Sequence, residues 1–393
     1  VFNGCFSLER IMINQSPSTN SEYFVVKEGV LYQKNKDLVG EIDNFGQILH
    51  TYPAGRIADV YELPLVGMTG VTHILPYAFY YSNITAIKAP STLAFIQKNA
   101  IIVPQLVYIE FSSEIPVPTF SRLFPEYSAQ YVIINEHDTA DYSTFGFPEG
   151  VMVKSNEIDT SSLLGMIENG EGDKFVYRND HRGVYIVAAE RAKASLNVPH
   201  NVTIGEDTLD IIGLEGHAFR GNILKELILP YTIETINAYA LYYCTDLRKL
   251  TSNSLIPPEL SYLSEEEPEE LISFHPDIFI ENLLIFVPEE QRDTYADEWP
   301  THIDFIIPIG QYPQVVFEPN GGDEPRVIDP TTGNEIDITQ REYIPYLPRT
   351  ERRGYMFEGW YENAEFEGEP VTFPYTKYRN IVLYARWAVQ EFE

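Results

Sequence analysis

Apolar residues recur along this chain at fixed offsets. From Ile74 the order is Ile74, Ala78-Phe79, Ile84, Ile87 and then Pro90; it returns as Ile96, Ala100-Ile101, Leu106 and Ile109, each displaced by 22 residues. The same order reappears as Ile212, Ala218-Phe219, Leu224, Leu227 and Leu229-Pro230, and again as Ile236, Ala240-Leu241, Leu247 and Leu250, with spacings of 22 to 24. The first residues, Val1-Phe2, Cys5, Leu8, Ile11 and Ile13, fit this frame too, which places Val1 inside a repeat and predicts that the gene product begins further upstream. Self-similarity at such a period marks a solenoid. The pattern Leu-x-x-Ile-x-Ile reads as a short strand whose alternate side chains point inward. Proline after the strand removes a ladder donor and ends it. Ala-Phe opens the return path, with a small residue where backbones crowd and a ring that fills the interior. One coil cannot bury its apolar side alone; stacked coils share a core.

Residues 311–393 follow another pattern. The segment "QVVFEPNGG" is an alternating strand running into a turn, where Asn320-Gly321-Gly322 supply positive φ. A second turn is predicted at Asp329 to Glu335, and two further aromatic-rich strands at "RRGYMFEGWYEN" and "NIVLYARW".

With these positions in view, residues 1 to about 308 resemble the BspA-like leucine-rich repeat family of bacterial surface proteins. The resemblance rests on Ile-x-x-x-Ala-Phe followed by Leu-x-x-Ile-x-Ile-Pro. It implies that Glu22 to Pro53 is a hairpin insert between repeats and that Leu283 to Ile306 is a closing strand–helix–strand unit, with a weaker copy at Gln130 to Lys154. The fold class expected is an α/β leucine-rich-repeat solenoid, strand-rich, with short helices and hairpin inserts, in two modules. Module one spans 1–156 and module two 157–308, the second opening on "KFVYRNDHRGVYIVA" after a linker or lead-in between Asp159 and Gly172. Leu255 to Glu270 leaves the frame. Residues 311–393 resemble the Listeria–Bacteroides repeat, carried by Phe317, Pro319, Asn320, Gly321, Gly322, Gly354, Tyr355, Phe357, Gly359, Trp360, Tyr361, Tyr384, Ala385 and Trp387. That resemblance implies a small β-grasp-like domain used as a spacer or interaction module; in so small a domain Trp360 and Trp387 are expected in the core rather than as a sugar-stacking pair.

Charge narrows the partners. Against 27 Lys and Arg the chain carries 58 Asp and Glu, a net charge of −31 that repels phosphate backbones and anionic membranes, so nucleic acid is not expected as a partner. With 393 residues and 44% hydrophobic content, a folded interior split over two or three domains is expected. No apolar run is long enough for a transmembrane helix. Cys5 and Cys244 share one frame position, held elsewhere by Ser82 and Asn222, and so read as small buried fillers rather than a disulfide or a lipid anchor.

Chemistry is sparse. The eight histidines, at 50, 73, 137, 181, 200, 217, 275 and 302, form no His-Glu-x-x-His and no paired ligand spacing, and neither a Walker loop nor Gly-x-Ser-x-Gly occurs. The acidic run Glu265 to Glu270 lacks the Gly and Asp of a calcium loop and reads as solvated. No catalytic residue, metal or cofactor is expected, and no enzymatic activity.

Binding is expected on the strand face, at the outward positions Arg10, Met12, Ala86, Lys88, Tyr108, Glu110, Glu226, Ile228, Lys249 and Thr251. Their mixed charge and aromatic content suit a protein partner. The expected function is therefore a monomeric cell-surface or extracellular protein that binds host or microbial surface proteins, possessing a lipid anchor only through upstream sequence. Two alternatives compete. One is a structural spacer that displays another domain. The other is a glycan-binding or hydrolytic protein using Trp299, Trp360 and Trp387, which requires those rings to be exposed.

Overall fold

The computed structural model describes residues 2, 5–13, 23–33, 48–66, 69–111, 131–137, 151–260, 283–377 and 379–390. It separates into two compact units, one formed by the described residues of Val1–Leu247 and Pro258–Ile278, the other by those of Arg248–Pro257 and Phe279–Glu393. The acidic run Glu265 to Glu270 lies outside the described residues.

Unit one begins with the hairpin implied by the resemblance. Strands β1 (Phe24–Lys27) and β2 (Val30–Gln33) pair antiparallel, and β3 (Ile48–Thr51) pairs antiparallel with β2. Glu28 and Gly29 take φ of 52° and 83°, the left-handed pair that a two-residue turn of matching twist requires. β4 (Ala58–Glu62) follows, and then the repeat strands β5 (His73–Ile74), β6 (Ile84–Ala89), β7 (Phe95–Ile96) and β8 (Tyr108–Phe111). β9 (Tyr131–Ile134) and β10 (Met152–Lys154) come next. Each repeat thus contributes one strand to each of two parallel ladders. β3, β5 and β7 form one; β4, β6, β8, β9 and β10 form the other. Their inward residues, among them Leu49, Ile74, Ile87, Ile109 and Val132, share one core with Phe79. Within it Tyr32 Oη and Tyr61 Oη hydrogen-bond at 2.6 Å, so neither buried hydroxyl is orphaned.

The segment from Asp159 to Gly172, expected as a linker or lead-in, is ordered secondary structure. Asp159 caps α1 (Thr160–Leu163), accepting from Ser161 N–H, and the chain runs directly into β11 (Leu164–Glu168). β12 (Lys174–Asp180) and β13 (Gly183–Ala189) complete an antiparallel meander. β14 (Ser195–Asn197), β15 (Asp207–Leu214), β16 (Glu226–Leu229) and β17 (Thr235–Ile236) then resume the repeat. β13 pairs parallel with β15, β15 with β17, and β14 with β16. The plan of β1 to β7, an antiparallel hairpin feeding parallel ladders, therefore recurs in β11 to β17.

Unit two holds β18 (Lys249–Ser252), then β20 (Leu284–Val287), α2 (Arg292–Glu298) and β21 (Ile306–Pro308), with β19 (Glu259–Leu260) belonging to unit one. The strand–helix–strand closure expected from Leu283 to Ile306 is present: β18, β20 and β21 pair parallel in that order, and α2 leads back over them. Tyr295 of α2 is buried, with its hydroxyl bonded to Ser252 Oγ at 2.7 Å and donating to Ser254 O at 2.9 Å. His302, just beyond, is buried, and burial lowers its pKa from 6.5 to about 4. The unfolded chain then takes up that proton first, so the stabilisation is complete above pH 6.5 and is lost as the pH falls toward 4. The loss is on the order of 3 kcal/mol at pH 4. Unfolding in denaturant between pH 7 and pH 4 measures it, and His302→Gln is expected to flatten this part of the slope.

The carboxy-terminal segment forms a three-stranded sheet. β22 (Val315–Glu318) lies parallel to β24 (Ile381–Val389), and β23 (Tyr355–Tyr361) lies antiparallel on its other side. Trp360 is buried in its core, with Trp387 packed against it. The turn at Asp329 to Glu335 is built as expected, Asp329 Oδ1 accepting from Thr331 and Thr332 N–H.

Candidate functional site

The outward residues of the β4–β6–β8–β9–β10 ladder were expected to face solvent. They do so only in part. Ala86 and Tyr108 are 0% and 1% exposed. With Ile133, and with Val60 beside them, they pack against Leu163, Leu164, Val176, Val187 and Ala188 of α1 and the β11–β13 meander. The expected binding positions Ala86 and Tyr108 are thus corrected to core positions. Burial pushes the Tyr108 hydroxyl up to about 12, tempered by its hydrogen bond to Thr160. The cause is local composition: Val60, Ala86, Tyr108 and Tyr131 form an apolar row across the ladder, and a sheet with two apolar faces must be covered on both.

Lys88 and Glu110, one step further along the same strands, remain half-exposed and face each other, Lys88 Nζ lying 3.6 Å from Glu110 Oε2. Arg10 and Met12 are exposed but belong to no strand; Ile11 between them donates its N–H to Gly29 O, which fastens the segment to the hairpin turn. Their placement on the strand face is therefore corrected as well.

Further along unit one, Glu226 and Ile228 are half-buried on β16, opposite Ser195 and Asn197 of β14. Ser195 Oγ lies 3.4 Å from Glu226 Oε2. In unit two, Lys249 is exposed on β18 and Thr251 half-exposed, opposite Leu284 and Phe286 of β20, and Lys249 Nζ stands 5.0 Å from the Phe286 ring. In the repeat frame Ser195, Glu226 and Lys249 occupy the positions of Val60, Ala86 and Tyr108. Where the first repeats carry an apolar row, the later ones carry a polar one.

A second cluster, at the corners where the coils turn, was not anticipated. Tyr77, Tyr80 and Tyr81 follow Ile74, and Tyr239, Tyr242 and Tyr243 follow Ile236. Arg191 is buried; its Nη1 donates to Ala54 O at 2.8 Å and Tyr81 O at 2.9 Å and lies 3.5 Å from Phe6 O. Burial lowers its pKa from 12.5 to about 9. Arg220 lies with its guanidinium carbon 3.6 Å from the Tyr81 ring centre and 4.6 Å from that of Tyr242. The signal was in the sequence as the repeated Tyr-Ala-Phe-Tyr-Tyr and Tyr-Ala-Leu-Tyr-Tyr, of which only the inward Ala and Phe or Leu were put to use.

Cys244 is buried as expected, its Sγ donating to Phe219 O at 3.0 Å. Cys5 is exposed, which corrects its reading as a core filler. Trp299 and Trp360 are buried and Trp387 is half-buried with its indole N–H donating to Pro319 O, so tryptophan offers no sugar platform here. Among the described residues no group of three or more His, Cys, Asp or Glu is arranged to hold a metal ion. No helix among them is long and apolar enough to cross a membrane.

Comparison with known proteins agrees with the resemblances. Residues 66–143 and 199–265 match the BspA type leucine rich repeat region in six copies, and residues 314–386 match the Listeria-Bacteroides repeat domain. The chain thus carries both kinds of repeat. Similar solved structures include a leucine rich cell surface protein from Faecalibacterium prausnitzii, with 18% identity over 69% of this chain and 46% of that one, at a TM-score of 0.23. This chain therefore spans about half of that relative's length. A leucine-rich repeat protein from Bacteroides capillosus shares 12% identity over 31% of this chain and 97% of its own, at a TM-score of 0.22. The pneumococcal vaccine antigen PcpA shares 14% identity over 70% of this chain and 96% of its own, at a TM-score of 0.17. No curated protein matches the chain.

Proposed function

We propose that this chain, with its BspA-type leucine-rich repeats and its Listeria–Bacteroides repeat domain, is a cell-surface protein that binds other proteins and catalyses no reaction. It acts as a monomer built from modules 1–156 and 157–308 and the domain 311–393. The observation that carries this reading is the contrast between strand faces. The apolar row of the first repeats is consumed inside unit one, whereas Glu226 and Ile228 in unit one, and Lys249 and Thr251 in unit two, stay at the surface. Within each unit, a strand surface that sets a charged side chain beside an aliphatic or hydroxyl one favours a protein ligand over a polyanion. No cofactor or metal is called upon.

The test is a binding screen of the full chain against extracellular-matrix and bacterial surface proteins, followed by charge reversal. Glu226→Lys and Lys249→Glu are each expected to weaken the strongest interaction tenfold or more, and Lys88→Glu to leave it within twofold. Binding that ignores both Glu226→Lys and Lys249→Glu would remove the strand face from the reading.

A further inference from the structure

The corners of unit one hold non-glycine residues in the left-handed region. Tyr77, Tyr81, Asn99, His217, Tyr239 and Tyr243 have φ between 48° and 67°. An L side chain is disfavoured there, and glycine is the residue that takes it freely. The chain shows the alternative itself: Gly221, with φ 65°, stands in one coil where Tyr81 and Tyr243 stand in others. Core burial does not repay the strain, because Tyr77 and Tyr243 are 42% and 46% exposed. Strain kept without burial points to use of the side chain.

These rings gather into one surface. Tyr80 lies 5.7 Å from Tyr77 and 4.5 Å from Tyr81, and Phe6 links Tyr81 and Tyr243 at 6.2 and 6.4 Å. Beneath them Arg220 is 6% exposed, and its Nε has no hydrogen-bond partner among the described residues. The largest electrostatic influences on Arg220 come from Tyr81, Tyr242 and Tyr243, those on Arg191 from Arg220 and Cys244, and that on His217 from Arg220. None is a carboxylate, although the chain carries 58 of them. Two buried cations, neither ion-paired with a carboxylate among the described residues, leave a local positive field beside the tyrosine rings.

We propose that this tyrosine-lined corner of unit one binds a carboxylated sugar of the sialic or uronic acid type. Separate pyranose rings of the ligand stack on Tyr77 and on Tyr243, and the carboxylate is drawn to the field of Arg220 and to tyrosine hydroxyl donors. This site is separate from the strand surface proposed for protein partners.

Calorimetric titration of the full chain with sialyllactose and with a galacturonic acid tetramer tests it, with lactose and tetraglutamate for comparison. At least one of the two acidic sugars is expected to bind tenfold or more tightly than lactose or tetraglutamate. Tyr77→Gly and Tyr243→Gly are each expected to weaken that binding tenfold or more while leaving the thermal midpoint equal or higher, since glycine relieves the strained backbone. Arg220→Met is expected to abolish the preference over lactose. No saturable binding of either acidic sugar at millimolar concentration overturns the proposal, as do lactose binding of equal strength, tetraglutamate binding of equal or greater strength, and glycine variants that bind like the parent.

Discussion

Ala86→Arg is expected to destabilise unit one by about 4 kcal/mol or more, the largest effect of any single substitution on the strand ladders. Ala86, on β6, has no exposed surface and shares one core cluster with Val176 and Ala188 of the β11–β13 meander. An arginine there has neither volume nor counter-ion; it must either bury an unpaired charge or pry the meander from the ladder. Glu226→Lys, at the equivalent position of a later repeat, is expected to change stability by no more than about 0.5 kcal/mol, because that side chain is half-exposed. Urea unfolding of the two variants beside the parent decides the matter. Equal and small effects would mean that the meander does not cover the first strand face in solution.

The second large effect is expected at Arg191. Arg191→Ala removes the donor to Ala54 O and Tyr81 O, leaves two buried carbonyls without a partner and opens a cavity where the guanidinium stood. Against these losses stands a gain, since the buried cation itself is unfavourable, as the lowering of its pKa by burial records. The net cost expected is about 3 kcal/mol, a fall of about 6–12 °C in the midpoint of unit one. Arg191→Lys is expected to cost nearly as much, because an ammonium at the end of a flexible stem is more strongly hydrated than a guanidinium and less able to hold two carbonyls inside the protein. The midpoint in calorimetry reads both, and an unchanged midpoint for Arg191→Ala would deny the residue its role as a tie.

Much of this architecture was legible in the residues. Ile74, Ala78-Phe79, Ile84 and Ile87 announced a coil, and the coil is there with Ile74, Phe79 and Ile87 in the core. The hairpin at Glu22 to Pro53, the closing unit ending near Ile306 and the strands around Trp360 and Trp387 stood in their local patterns as well. Even the fate of the strand face left a trace, because Val60, Ala86 and Tyr108 are apolar where Ser195, Glu226 and Lys249 are polar. Alternation along one strand distinguishes its two sides without saying what lies against either.

The sequence by itself determined the repeat, the direction in which each strand residue points and the places where coils end, since these follow from a period of two and from proline and glycine acting on neighbouring residues. Only the tertiary structure decided which outward faces are covered and which residues meet at the corners. Ala86 shares a core with Ala188, and Tyr81 is joined to Phe6, Arg191 and Arg220, through packing between segments remote in the chain. Such contacts depend on how the β11–β13 meander packs back on the earlier ladder, a choice made by the summed burial of many side chains rather than by any local pattern.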